Sequence, residues 1–323
     1  MKTFSKLGKI TAAALLFFSF AYCSDDDDAM RDVEVKSNTI VDFVAANDNY
    51  SSLGAALEVT GLNATLDGTT NFTVFAPDND AFAAFLSANN FSSLNEVPTE
   101  LLRQVLLNHV QSGEIMSSAL STGYIESMAT STVTGEKLSM YINTESGVSI
   151  NGVANVVSAD IEVDNGIIHA VDEVIGLPDI TTFATADPTF EILVAALTRE
   201  DDFTFVQTLM SSSSPAPFTV FAPTNDAFVA LLGELEMSSL ADIPTDVLSA
   251  TLTYHVVAGA NVTSGDLTDQ MEVSTLANQS FTVNLGDPVT IVDANGRPST
   301  VLATDVQANN GVIHVINTVL LPE

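Results

Sequence analysis

The histidines are the residues best placed to do chemistry in this sequence, and they come as two matched pairs. His109 and His255 lie 146 residues apart; His169 and His314 lie 145 apart. A neutral imidazole can ligate a metal or act as a general base. It can equally hydrogen-bond backbone on both sides and hold two elements together. His169 and His314 stand in apolar runs with no Cys or second His nearby, which favours the internal role. Asp78-Asn79-Asp80 and Thr224-Asn225-Asp226 offer clustered oxygens that calcium could use. No EF-hand loop follows either cluster, and such side chains cap orphan N–H groups at a helix start, so capping is the expectation for both. A Gly-x-Ser-x-Gly elbow, a His-Glu-x-x-His helix and a phosphate-binding Gly-rich Lys loop are all absent from the sequence. Neither catalysis, nor a metal, nor a cofactor is expected.

The elements that must position these residues are repeated. Asn71–Phe82 reads NFTVFAPDNDAF and Pro217–Phe228 reads PFTVFAPTNDAF, with Phe72 matched to Phe218 and Pro77 to Pro223 at an offset of 146. Phe-Thr-Val-Phe suits a short strand with a buried face. Pro77 and Pro223 end it, and the apolar face of a helix begins after Asp80 and Asp226. Earlier in each copy, Tyr50, Leu53, Ala56 and Leu57 match Phe190, Leu193, Ala196 and Leu197 at helical spacing and an offset of 140. The change from 140 to 146 places a six-residue length difference before the repeated strand. Later, Val97–Val110 matches Ile243–Val256; Thr99 and Thr245 are expected N-caps, and the helix ends near the His. Strands are expected over 138–143, 148–150 and 153–161, and over 281–284, 289–292 and 301–306. A second shared motif closes each copy: Asn165–Val171 and Asn310–Ile316 each read as an Asn-Gly turn followed by a strand buried on both faces. These boundaries predict domains over 38–178 and 179–323. The passage Leu177-Pro178-Asp179 is so short that the two domains should touch or hold a restricted angle.

Residues 1–22 have the layout of a signal peptide: Lys2, Lys6 and Lys9, then an apolar run over 10–22 too short to span a membrane. Cys23 is the single cysteine, so no intrachain disulfide can form. Its surroundings resemble a bacterial lipoprotein lipobox, with Tyr22 where a small residue is usual, which implies lipidation of Cys23. The Ser24–Asp28 run resembles the surface-export signal of Bacteroidetes lipoproteins, and residues 23–37 read as a lipidated Cys and a solvated acidic linker. The formal net charge is −32. Residues 37–178 carry 17 acidic side chains against Arg103 and Lys137, and residues 179–323 carry 18 against Arg199 and Arg297. Nucleic acid, which needs basic side chains to displace counterions from phosphate, is excluded as a partner. So is a basic patch on anionic lipid; membrane contact is expected through the lipid anchor alone.

With its motifs placed, the chain resembles two tandem fasciclin (FAS1) domains. One block is carried by Phe72–Phe82 and Phe218–Phe228, the other by Asn165–Val171 and Asn310–Ile316. The resemblance implies an α+β fold, each domain a β-sheet wedge core with packed helices. It also implies a role in extracellular adhesion or matrix interaction. The family's Tyr-His element, tied to receptor binding in animal members, is present as Tyr254-His255; Asn108-His109 departs from it. These four residues are the interaction region the resemblance implies. The expected function is a non-catalytic surface lipoprotein of the bacterial outer membrane that binds protein or polysaccharide ligands. The alternatives are an envelope assembly protein and a hydrolase using His109 or His255.

Overall fold

The two repeated motifs lie side by side. Phe72–Pro77 (β1) and Gly166–Val171 (β7) pair as parallel strands, from Phe72 opposite Gly166 to Pro77 opposite Val171. Phe218–Pro223 (β8) and Gly311–Ile316 (β14) pair in the same way. All four strands are buried along their whole length, because both faces of the sheet are covered. Phe72, Val74 and Ala76 enter a core beneath the helices, whereas Phe75 enters a second core on the opposite face. The glycine opening each second motif is sterically obligatory. A Cβ on Gly166 would lie 1.9 Å from the Phe72 carbonyl oxygen, and one on Gly311 would lie 2.1 Å from that of Phe218.

The computed structural model describes residues 37–323; Cys23, its lipidation, the signal sequence and most of the acidic linker lie outside the described residues. Domain one opens with helices Ile40–Ala46 (α1), Ser51–Thr60 (α2) and Asn63–Leu66 (α3) before β1. Helices Asn79–Ala88 (α4) and Thr99–Leu107 (α5) follow. Strands Val110–Ser112 (β2), Gly123–Thr130 (β3), Lys137–Asn143 (β4), Ser149–Ile150 (β5) and Ala154–Val163 (β6) then lead to β7. The sheet order is β2-β1-β7-β6-β5-β4-β3.

Domain two repeats this with Ile180–Ala186 (α6), Glu191–Leu197 (α7), Phe205–Met210 (α8), Asn225–Glu234 (α9) and Thr245–Tyr254 (α10). Its further strands are Val256–Ala258 (β9), Met271–Ser274 (β10), Ser280–Asn284 (β11), Thr290–Val292 (β12) and Pro298–Ala308 (β13). They give the same order read in reverse, β10-β11-β12-β13-β14-β8-β9. Among the described residues no single helix is long and apolar enough to cross a membrane.

Three local expectations are refined. Thr99 and Thr245 are the first helical residues, and the cap positions are held by Pro98 and Pro244 without a side-chain cap. Thr245 instead accepts from Arg199 Nη2 at 3.0 Å and donates to Glu200 at 3.0 Å, which takes its hydroxyl away from the helix end. The six-residue difference is not in one loop. Asn165 Nδ2 donates to the carbonyl of Leu66 and Asn310 Nδ2 to that of Leu209, an offset of 143, so the extra length is split on either side of α8. Strands β2, β3, β9 and β10 complete the sheets beyond those expected from the sequence.

The domains share an interior. Tyr141 of β4 is 2% exposed and belongs to the core of domain two. Tyr124 of β3 stacks edge-on to Phe183 at 5.6 Å and donates to Asp187 Oδ2 at 2.8 Å. At the other side of the contact, Ser131 Oγ donates to the Asn309 carbonyl at 2.6 Å and Gln307 N to Ser139 Oγ at 3.0 Å.

Candidate functional site

The repeated histidines sit at the ends of helices and are spent on backbone. His109 follows α5; its Nδ1 donates to the Val105 carbonyl at 2.8 Å, and its Nε2 accepts from Ile175 N at 2.8 Å. His255, the residue capping α10, repeats the pattern with the Thr251 carbonyl at 2.7 Å and Leu320 N at 3.0 Å. Donation from Nδ1 and acceptance at Nε2 require the neutral ring. Burial pushes both imidazoles down to about 4, so they are uncharged at neutral pH. With both nitrogens committed, neither ring has a lone pair free for a metal or a substrate proton. Each ties a helix end to the segment that closes its domain.

The neighbours of these histidines are buried as well. Tyr254 is fully buried, donates its hydroxyl to the Ser280 carbonyl at 2.8 Å and accepts from Ala294 N at 3.1 Å. Asn108 takes its place in domain one; Nδ2 donates to the Gly176 carbonyl at 2.9 Å, while its buried Oδ1 has no partner. None of the four side chains reaches the surface of the described residues. A macromolecule docking on the outside of this region would touch what they support rather than the residues themselves.

His169 and His314 lie in the central strands β7 and β14. Nε2 of His169 donates to the Ile115 carbonyl at 2.9 Å and Nδ1 accepts from Asp160 N at 3.2 Å; Nε2 of His314 donates to the Val262 carbonyl at 2.8 Å. Both rings pack against the second aromatic of the repeated strand, Phe75 at 5.6 Å and Phe221 at 5.2 Å. Burial lowers the His314 pKa.

The first motif divides into a structural part and an exposed part. Phe72, Pro77, Phe218 and Pro223 are buried. Asp78 caps α4 by accepting from Ala81 N at 2.9 Å, and Thr224 caps α9 by accepting from Ala227 N at 3.3 Å. Asn79 accepts from Ser52 N and donates to the Asp48 carbonyl, clamping the start of α2; Asn225 does the same to Ile192 N and the Pro188 carbonyl. Asp80 and Asp226 remain exposed. They are therefore the members of the motif that can meet another molecule.

Beside Asp226 the structure places an apolar side chain that sequence reading passed over. Leu302, 57% exposed, lines a shallow cleft with Pro188, Thr189, Thr224, Asn225 and Asp226. It projects at an irregularity in the β13–β14 pairing, between Val301 opposite Ile316 and Ala303 opposite Val315. In domain one Val157, 63% exposed, holds the matching place, between Val156 opposite Val171 and Ser158 opposite Ala170. A β-bulge aims a side chain out of the sheet in just this way. Nothing in the single sequence marks Val157 or Leu302, because each sits in an ordinary apolar strand pattern.

Electrostatics limit what this surface can take. Each of the four cationic side chains in residues 37–323 is engaged internally: Arg103 with the Thr60 carbonyl, Lys137 with Glu126 at 2.7 Å, Arg199 with the Leu240 and Ile243 carbonyls, and Arg297 with Glu234 at 2.6 Å. Among the described residues no group of three or more His, Cys, Asp or Glu is arranged to hold a metal ion. The exposed face is acidic and aliphatic.

The chain is similar to known proteins in sequence and in fold. The fasciclin domain model matches residues 48–178 and again residues 188–322. The protein sll1483 of Synechocystis is 43% identical over 147 residues, 44% of this chain and 73% of that protein. The transforming growth factor-beta-induced protein ig-h3 of Sus scrofa is 28% identical over 265 residues, 81% of this chain but 36% of its own length. The fasciclin-like arabinogalactan protein of Arthroderma benhamiae is 27% identical over 271 residues, 80% of this chain and 60% of that protein. Among solved structures, a FAS1 domain pair from the insect cell adhesion molecule Fasciclin I superposes with a TM-score of 0.51 at 22% identity, over 84% of this chain and 97% of that one. With the domain model matched over nearly all of residues 48–322, the chain belongs to the fasciclin domain family and carries the domain in two tandem copies.

Proposed function

We propose that the chain is a non-catalytic adhesion lipoprotein, tethered through Cys23 to a bacterial outer membrane and displayed outward, that binds protein or polysaccharide ligands. The observation that carries this reading is the doubled surface. Both domains bury their histidines in internal hydrogen bonds and leave an aspartate and an aliphatic side chain exposed at corresponding sequence positions, Asp80 and Val157 in domain one and Asp226 and Leu302 in domain two, the latter two lining one cleft. Two like patches on one body favour a ligand with repeated epitopes, since the second contact forms at high effective concentration. The acidic surface, with its cations already paired, favours basic or neutral ligands over phosphate-bearing ones. The similar insect domain pair comes from a cell adhesion molecule, which supports the same reading.

The test is a binding screen of the chain from Ser24 onward against extracellular-matrix proteins and glycan arrays, with calcium and with EDTA. Saturable binding, weakened at least tenfold by Leu302→Glu together with Val157→Glu, is expected. Absence of binding under both conditions would overturn the adhesion reading and leave the envelope assembly role. Incorporation of labelled palmitate that disappears in Cys23→Ser is expected for the tether.

A further inference from the structure

Domain two holds a partly open apolar cavity beneath α6, α7 and α8, and we propose that it is a binding site for a small apolar molecule, one aromatic ring or the end of an alkyl chain. The volume is about 110 Å³, floored by Val220 and Ile313 of the central strands. No charged side chain lines it. Its polar lining groups are already satisfied. Thr181 Oγ1 donates to Asp179 Oδ1 at 2.7 Å, Thr185 Oγ1 to the Thr181 carbonyl at 2.9 Å, and Thr198 Oγ1 to the Val194 carbonyl at 2.8 Å. His255 has both nitrogens committed to backbone. Water needs two to four polar partners to occupy a void, and an apolar cavity of about 150 Å³ in another protein stays dry and binds benzene. The cavity here falls in the same size range and offers water as little.

The wall of the cavity differs between the two copies. Its wall residue Ala184 corresponds to Val44 of domain one, at the offset of 140 that relates the opening helices. Val44 is 3% exposed, and a Cβ on the facing Gly54 would stand 3.5 Å from its Cγ1. Domain one thus fills the space between α1 and α2 with an isopropyl group. Domain two exchanges the two sizes, with Ala184 where domain one has Val44 and Val194 where it has Gly54, so the bulk sits on α7 and the α6 wall of the cavity is left to an alanine. Protein interiors normally leave no such gap. The rim changes in the same sense: Thr198 replaces Glu58 and leaves the edge uncharged. Thr185 and Thr198 are exposed and Val194 and Val206 half-buried, so the cavity opens towards solvent between these helices.

The full-length protein, held in amphipol, would be titrated with fluorobenzene and with 12-fluorododecanoate and followed by fluorine NMR. Saturable binding of fluorobenzene at one site is expected, weakened tenfold or more by Ala184→Val, which installs the residue domain one carries at the same place. Val206→Phe, at the half-buried mouth, should block entry and gives an independent reading if the first variant folds poorly. Binding of dodecanoate as well would assign the site to the end of a lipid chain, and binding of fluorobenzene alone to a free hydrocarbon. No saturable binding of either probe, or binding unchanged in both variants, would overturn the proposal.

Discussion

A histidine pair that could have served as general bases is instead a set of internal clips. Each ring of His109 and His255 bridges a helix end to the closing segment of its domain, and its function is to be neutral. That makes stability depend on pH. Burial holds the folded pKa near 4 against an ordinary 6.5, so the unfolded chain takes up a proton where the folded one does not. The contribution is complete above pH 6.5 and is withdrawn as pH falls towards 4, on the order of 3 kcal/mol for each ring over the whole window. The urea midpoint should therefore drop between pH 7 and pH 5. In His255→Gln the midpoint should be lower at pH 7 and the drop between the two pH values smaller; a wild-type midpoint flat across that interval would count against the neutral-clip account.

At the scale of the element, the central pair of strands carries the most constraint. β1 and β7, and again β8 and β14, approach so closely at their first residues that only glycine fits opposite Phe72 and Phe218. Gly311→Ala should cost about 4 kcal/mol or more, because the clash is with backbone on a buried strand that cannot move aside. Gly135→Ala, whose added Cβ meets nothing although φ is +80°, should cost only about 1 kcal/mol. Urea midpoints of the two variants measured together decide this; equal losses would mean that the close approach is not what holds glycine there. The caps act on the same scale. Asp78 and Thr224 start their helices, and Asn79 and Asn225 fasten those starts to the preceding helix pair, so a short polar triplet does two jobs.

For the whole molecule, the consequence of the short passage at Leu177-Pro178 is a shared interior. Tyr141 belongs by chain to domain one and by packing to the core of domain two. Asp187, which accepts from the Tyr124 hydroxyl, also anchors the turn after α6. The domains should therefore unfold together, as one calorimetric transition. Tyr141→Ala removes a buried aromatic, at a cost of about 3–5 kcal/mol, and should split that transition into two. A single transition persisting in the variant would show that the other contacts suffice to couple the halves. Rigid spacing of the two exposed patches, at Val157 and Leu302, depends on this coupling, and so does any two-point hold on a ligand.

The duplication, the strand and helix of the first motif, the buried second motif and the preference for structural histidines were all legible in the residues alone. Each of these rests on a pattern spanning a few residues, such as Phe-Thr-Val-Phe before Ala-Pro, or short polar residues before an apolar helical face, repeated at a fixed offset. The strands left out, β2, β3, β9 and β10, are short or half-buried at the sheet margins; β2 and β9 take their hydrogen bonds from strands about forty residues earlier, while β3 and β10 are the outer arms of hairpins with β4 and β11. The pairing of the two motifs with each other, the burial of the Tyr-His residues, the outward placement of Val157 and Leu302 and the cavity beneath α6, α7 and α8 came from the fold. Strand pairing, burial and cavity volume are properties of segments far apart in sequence, and local propensity carries no term for the neighbour that will fill, or fail to fill, a given space.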